Sequence, residues 1–420
     1  MNYQDEENKK YDVIVIGGGA SGMMAAGTAA ANGKQVLLIE KNKELGKKLK
    51  ITGGGRCNIT NAISDTHKFL AKFGPAGKFL YSAFSQFGVE DTFTFFAKRG
   101  LPLVTQARNR VFPETEKASD VFRVMNQYIN NRNVTILKNE SVVEIKTDKE
   151  AGEILSVKTT KGAYSADNFI ISTGGNSHPE TGSTGDAFKW LRAMGHEIKR
   201  SSPNIVPLEA SDKWIHDLSG TSLSFMKITF FCRGKKAFSE TGKILFTHFG
   251  LSGPLVLNSA SKVADLLHAG EVTAKIDCYP DTDIGSLEKS ILKVFDKNKN
   301  KSFKNVVDEI TPPGLSNTLV EFHIVPDVDM KVHSINKEMR KEIVQLLKGL
   351  PVKVEGLMGM DRAVVSDGGV VLEEIDTKTM KSKMFSNLYL IGDVLNINRP
   401  SGGYSLQLCW TTGYVAGLLK

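Results

Sequence analysis

The sequence predicts an α/β chain in which a parallel sheet is interrupted by an inserted, antiparallel β-rich part with a small helical piece. Three observations carry this. Residues Tyr11 to Glu40 read as strand, glycine turn, alanine-rich helix and second strand. From His196 to about Val352 the strands alternate apolar and polar residues, as in SLSFMKITFFC. Met384 to Lys420 then closes the chain with a buried strand, a glycine loop and a last helix. At 420 residues, 41% hydrophobic and 24% charged, the chain can build two or three cores.

The first segment, YDVIVIGGGASGMMAAGTAAANGKQVLLIE, has the form of a dinucleotide-binding βαβ unit. Gly17 allows the tight turn out of the strand, Gly19 lets backbone N–H groups approach a pyrophosphate, and Gly22 lets the helix pack closely on the sheet. The helix dipole favours an anion there by only about 0.3 to 1 kcal/mol per interaction, so tight binding needs contacts from elsewhere. Glu40 closes the second strand, where it suits both hydroxyls of an adenosine ribose and repels a 2′-phosphate. Its neighbour Lys41 weakens that repulsion. Lys9, Lys10 and the uncharged stretch 13–33 superficially match a signal peptide or membrane span. Four glycines between positions 17 and 22 argue against either, so the chain is read as uncleaved, cytoplasmic and without a membrane partner.

Helices are expected at Lys78 to Phe87, Val89 to Arg99 and Ala118 to Asn131. VTILKNESVVEIKT, GEILSVKTT and GAYSADNFIISTGG follow as a β-meander ending in a buried strand. A helix over Asp186 to Met194 returns toward the first sheet. Composition then changes, which sets the expected domains: 1–195 with 353–420, an inserted β-rich barrel or sandwich at 196–283 and 322–352, and a helical subdomain at 284–321.

The formal charge of +8 comes from 54 basic and 46 acidic residues spread along the chain. One denser run, Lys293 to Lys304, reads as a solvated face rather than a nucleic-acid patch. Four cysteines, Cys57, Cys232, Cys278 and Cys409, form no C-x-x-C, which points away from a metal site or a redox-active disulfide.

GGGASG with Glu40, TGGGRCN at Thr52 to Asn58, STGG at Ser172 to Gly175, IGD at Ile391 to Asp393 and SGGYSLQ at Ser401 to Gln407 stand together over nearly the whole chain. This set resembles the BaiN/RdsA-like family of NAD(P)/FAD-dependent oxidoreductases, related to bacterial aminoacetone oxidases. The resemblance implies an FAD-binding Rossmann-like domain of the two-dinucleotide-binding-fold flavoprotein type, carrying the inserted barrel and the helical subdomain. It places the adenosine on Glu40 and the pyrophosphate on Gly17, Gly19, Ala20 and Ser21, with Lys41 and Gly22 also among the expected cofactor-binding residues. It places the ribityl or phosphate region near Asp393 and the backbone of Val142 near the adenine, and Thr173, Gly174, Gly175 and Gly392 join the expected cofactor-binding residues.

The residues add their own reasons. Gly53, Gly54 and Gly55 leave room for an isoalloxazine ring and present amides, with Asn58 close behind. Arg56 brings a permanent charge suited to a phosphate or a substrate anion, its alternative being a structural ion pair. An arginine beside Cys57 lowers a thiol pKa, yet no resolving cysteine accompanies it, so Cys57 is read as packed against the cofactor rather than nucleophilic. Gly402 and Gly403 precede a helix beginning at Tyr404 and Ser405, whose start is suited to the charge that develops at the flavin N1 and C2 carbonyl. His178, His248 and Arg399 join Arg56 as candidate substrate groups, with no catalytic acid or base assigned.

The expected activity is hydride exchange between flavin N5 and a small amine or an unsaturated or hydroxylated carbon compound. NAD(P)H or dioxygen is the other partner, and any NAD(P)H binds transiently, because no second complete G-x-G-x-x-G follows a strand. An FAD-dependent RNA-modifying enzyme and a non-catalytic flavin sensor are the alternatives. Oligomeric state is left open.

Overall fold

The computed structural model describes residues 11–130, 133–200, 203–359 and 365–420, so Lys9, Lys10 and Asn131 of the expectations above lie outside it. The backbone forms two compact units, Met1–Ser202 with Val365–Lys420, and Pro203–Val364.

The first unit is built on a five-stranded parallel sheet. Strand β1 (Tyr11–Ile16) lies at its centre between Ala166–Ile171 and β2 (Val36–Glu40), with Leu388–Leu390 and Val134–Lys138 at the edges. Ile16 stands opposite both Ile39 and Ile171, so the strands end together at the turn that follows β1. Helix α1 (Ala20–Ala31) is buried from Ser21 to Ala30, which is why its sequence is apolar all round rather than striped.

The expected meander is corrected in part. Val142–Asp148, Glu153–Thr159 and Ala163–Tyr164 form an antiparallel sheet of their own, but Val134–Lys138 and Ala166–Ile171 leave it for the parallel sheet. Phe169, Ile170 and Ile171 are fully buried, as a strand covered on both faces requires. Helices occupy Ala76–Gln86, Val89–Ala97, Ala118–Ile129 and Asp186–Met194.

The second unit contains a closed barrel of Leu208–Ala210, Ser222–Cys232, Lys235–Thr247, Gly250–Ser252, Val272–Asp277 and Leu350–Leu357. Alternate residues such as Val272, Ala274 and Ile276 point inward to meet Ile228, Phe230, Ile244 and Phe246. A separate apolar cluster of Leu287, Ile291, Phe295, Phe303 and Ile343 holds the helical part. That part reaches past residue 321: Lys337–Leu347 is a helix, started by Asn336, whose side chain accepts from Met339 N–H. Its buried Ile343, Val344 and Leu347 fall at helical rather than alternating spacing. Among the described residues no helix is long and apolar enough to cross a membrane.

Candidate cofactor and active site

The turn after β1 is as tight as its glycines suggest. Gly17 has φ 104°, and a Cβ on it would lie 2.7 Å from the Ser172 carbonyl oxygen; at Gly22 the nearest atom, the Gly17 carbonyl oxygen, would be 1.9 Å away. Ser172 Oγ donates to the Ile16 carbonyl at 2.9 Å and the Gly17 carbonyl at 2.8 Å, joining the STGG segment to the first turn.

Glu40 is buried and held in one orientation. Gly18 N–H donates to its Oε2 at 2.8 Å, while the backbone and side-chain amides of Asn42 donate to Oε1 at 2.8 and 2.7 Å. Three of the roughly four lone-pair positions of the carboxylate are thus taken, which leaves room for one ribose hydroxyl rather than two. The ammonium of Lys41 is tied to Asp186 at 2.7 Å and to Thr184 at 2.6 Å. Bonds from Asn139 N–H to the Asn42 carbonyl and from Glu140 N–H to the Glu40 carbonyl bring the chain leading to Val142 beside this acid.

In the TGGGRCN segment Gly53, Gly54 and Gly55 are all left-handed, and a Cβ on Gly54 or Gly55 would meet nothing within 4 Å. Cys57 is fully buried, which pushes its thiol up to about 12, so no thiolate forms near neutral pH. Arg56 lies over the Phe112 ring, with Nη2 donating to Glu116 Oε1 at 2.5 Å and to Gln106 Oε1 at 2.6 Å. This is the ion-pair geometry, yet its buried Nε has no partner.

Gly392 carries the far end of the chain to this place. A Cβ on it would sit 2.7 Å from Ser21 Oγ, and its N–H donates to Thr412 Oγ1 at 3.1 Å. The next residue, Asp393, pairs with Arg399 Nη2. Arg399 is 3% exposed and also donates to Ser405 Oγ at 3.0 Å and to the Ile397 carbonyl at 2.6 Å. Arg399 thus fixes Asp393 and the first turn of the last helix, Tyr404–Gly417. Gly403 precedes that helix at φ 99°, where a Cβ would come within 2.2 Å of the Thr60 carbonyl. The Tyr404 side chain packs against Phe69 and Phe73. In the same motif, Gln407 is a buried hub that accepts from Thr60 and Thr92 and donates to the Gly88 carbonyl and Thr411.

Lys48 escapes a reading of the sequence alone, because KNKELGKKLK suggests a solvated stretch. The structure half-buries this lysine: Nζ donates to the Ser177 carbonyl at 2.7 Å and to Ser177 Oγ at 3.2 Å. Burial lowers its pKa, with the nearby Asp393, Cys409 and Glu180 acting in the opposite direction. His178 follows Ser177 with φ 50°, its Nδ1 2.8 Å from Glu180 Oε1. His248 belongs to the second unit, exposed at the turn between Lys235–Thr247 and Gly250–Ser252.

The residues of the first unit fit a large polar cofactor. Asn58 Oδ1, Thr173 Oγ1 and Arg56 Nε are buried polar atoms without a partner, and open space adjoins Gly19, Gly54 and Gly55. Buried polar atoms are rarely left unpaired, so these call for a ligand with donors and acceptors along its length.

Residues 11–419 match the family described as the HI0933-like protein Rossmann domain. The 3-dehydro-bile acid delta(4,6)-reductase of Clostridium scindens is 28% identical over 385 residues, covering 91% of this chain and 92% of its own. The ribosomal RNA dihydrouridine synthase of Haemophilus influenzae is 28% identical over 391 residues, covering 92% of each. Among solved structures, the 3-ketosteroid-delta4-(5alpha)-dehydrogenase of Rhodococcus jostii has the same fold, with a TM-score of 0.56 at 15% identity over 98% of this chain and 96% of that one.

Proposed function

Because this chain belongs to the HI0933-like Rossmann family of FAD-dependent oxidoreductases, we propose that it saturates a carbon–carbon double bond conjugated to a carbonyl group in a small organic molecule. The names of both relatives describe one chemistry, two-electron reduction of such a bond, once in a 3-dehydro-bile acid and once in uridine. The observation that supports the reading is the set of unpartnered buried atoms in the glycine segments, on Asn58, Thr173 and Arg56, together with the open space at Gly19, Gly54 and Gly55.

Bound FAD supplies a two-electron store that exchanges hydride at N5. Gly17 to Gly22 and Glu40 would hold its adenosine diphosphate end. The start of helix Tyr404–Gly417 would offer its first N–H groups to a ring carbonyl that gains electron density. Arg399 keeps Asp393 and Ser405 in register with that helix start. In balance, each double bond saturated takes one hydride from a nicotinamide dinucleotide and one proton from solvent.

Anaerobic half-reactions of the FAD-loaded protein test this. NADH or NADPH should bleach the flavin, and a steroid enone should restore its colour while gaining two hydrogens by mass spectrometry. Bleaching by aminoacetone, followed by peroxide on aeration, overturns the proposal in favour of an amine oxidase. A second reading, reduction of uridine in RNA, is favoured by the formal charge of +8 together with the dihydrouridine synthase relative. Recovery of colour with a ribosomal RNA fragment but with no small enone selects it.

A further inference from the structure

One hairpin of the first unit carries more positive charge than its surroundings balance. Leu103–Gln106 pairs antiparallel with Arg110–Pro113, and Arg110 also lies opposite Asn61 in the short strand Thr60–Asn61. At the tip, Arg108 and Asn109 both take left-handed backbone angles, φ 62° and 57°. The tip is held in place: Ala62 N–H donates to the Asn109 carbonyl at 2.7 Å, and Asn61 Nδ2 donates to both the Arg108 and Gly402 carbonyls at 3.1 Å. A single amide thus ties the hairpin to the glycine turn before the last helix.

At that turn, a Cβ on Gly402 would lie 3.5 Å from the Tyr404 ring and 3.9 Å from Arg110 Nε. The Arg110 guanidinium therefore sits half-buried beside the turn, with Arg108 exposed next to it. Burial lowers the pKa of Arg110, and the neighbouring charges of Arg108 and Arg56 lower it further. Arg56 has Glu116 as its counter-ion, but among the described residues neither Arg108 nor Arg110 has a carboxylate partner. Three arginines within electrostatic reach thus share one acid. A planar guanidinium taken partly out of water without an anion is an unfilled half of a bidentate pair.

We propose that Arg108 and Arg110 form an oxyanion site for the carboxylate of a small unsaturated substrate, holding it by its charged end beside the turn at Gly402 and Gly403. The inference rests on the enone reading above for the rest of the substrate. Half-burial at a fixed turn favours a single carboxylate over a nucleic-acid backbone, which is tracked by many exposed cations along a groove.

Calorimetric titration of the FAD-loaded full chain tests the site without turnover, comparing a carboxylated steroid enone with its methyl ester. The acid should bind at least about tenfold tighter than the ester, and added salt should narrow the gap. Arg110→Gln should weaken the acid about tenfold or more and leave the ester unchanged, with a smaller loss in Arg108→Gln; retained FAD in each variant reports that the fold is intact. Equal binding of acid and ester, or equal weakening of both by Arg110→Gln, overturns the site even if the enone is reduced. An Arg110-dependent preference for the acid without reduction keeps the site and removes the enone reading. Where neither steroid binds, benzoate decides: saturable binding lost in Arg110→Gln supports the site, and its absence overturns it. Binding of an RNA fragment that falls with Arg110→Gln, while acid and ester bind alike, assigns the arginines to phosphate and overturns the proposal.

Discussion

Lys48 shows what a single residue hides from sequence reading and what it adds to the site. The place of Glu40 was legible, at the end of the second strand of a βαβ unit, and the structure adds that Gly18 and Asn42 hold its carboxylate. That of Lys48 was not, because its half-buried position is set by Ser177, more than a hundred positions away. Its folded pKa lies below the ordinary lysine value of 10.5, so across the interval between the two the folded chain binds fewer protons than the unfolded one. Stability of the cofactor-free protein contributed by this group therefore rises as pH climbs toward 10.5, and the burden is full below the folded pKa. A cofactor diphosphate near the ammonium acts in the opposite sense, favouring the charged form. Lys48→Met should consequently melt no lower than the parent without FAD, yet bind FAD about tenfold more weakly near pH 7, roughly 1.4 kcal/mol. The parent's FAD affinity should fall as pH rises through the folded pKa of Lys48, and the variant's should stay flat. Melting curves with and without FAD over a pH series measure both, and equal affinity in parent and variant would remove Lys48 from the site.

At the scale of the element, the βαβ unit was readable because its parts differ in period: near-continuous apolar residues in buried parallel strands and an all-round apolar helix between them. The meander was misread at both ends for a related reason. Local alternation states that a segment is a strand, but it does not state which neighbour it joins, and Val134–Lys138 finds its partner in β2. The same unit separates two uses of glycine. Gly22 is required by packing, since an added Cβ would overlap the Gly17 carbonyl, whereas Gly19 has ordinary φ of −78° and nothing within 4 Å of a Cβ. Gly22→Ala should destabilise the cofactor-free protein by about 1 to 3 kcal/mol, the usual penalty of overpacking. Gly19→Ala should leave that stability unchanged and weaken FAD at least about tenfold, because the methyl group takes up cofactor space. Denaturant unfolding of the cofactor-free proteins, paired with flavin titration, distinguishes the two. A Gly19→Ala protein with parental flavin affinity would show that the pyrophosphate does not lie over that turn.

For the whole molecule, the decisive relation is between ends of the chain: Ser172 bonded to the first turn, Gly392 against Ser21, and Arg399 holding Asp393. Sequence motifs announced that meeting, because an IGD strand end and a GGYSLQ helix start have no role in a barrel. The balance of charge around Arg110 was silent, since pairing of arginines with acids is decided by packing. All of these groups lie in the unit made of Met1–Ser202 and Val365–Lys420, and the two crossings into the intervening segment are joined within that unit. Ile198 and Lys199 pair antiparallel with Val370 and Gly369, and Gly368 lies against the Arg200 backbone. Just before them, buried His196 places Nδ1 2.6 Å from Glu374 and Nε2 3.1 Å from Ser382 Oγ. Because Ser382 Oγ already accepts from Met384 and Phe385 N–H, its own hydrogen goes to His196 Nε2, leaving Nδ1–H for Glu374. This staple closes the unit where the chain departs and returns. Joining Arg200 to Gly368 through a Gly-Ser linker of about four residues, a normal hairpin loop length, should therefore give a folded protein that unfolds cooperatively and takes up FAD. His196→Ala in that shortened chain should lower its stability by about 1 to 3 kcal/mol, as expected for leaving buried partners unsatisfied. Far-UV circular dichroism, thermal unfolding and the flavin spectrum read the outcome. A shortened chain that aggregates and remains colourless would mean that the first unit depends on the segment removed, and that the cofactor's binding residues do not all lie within it.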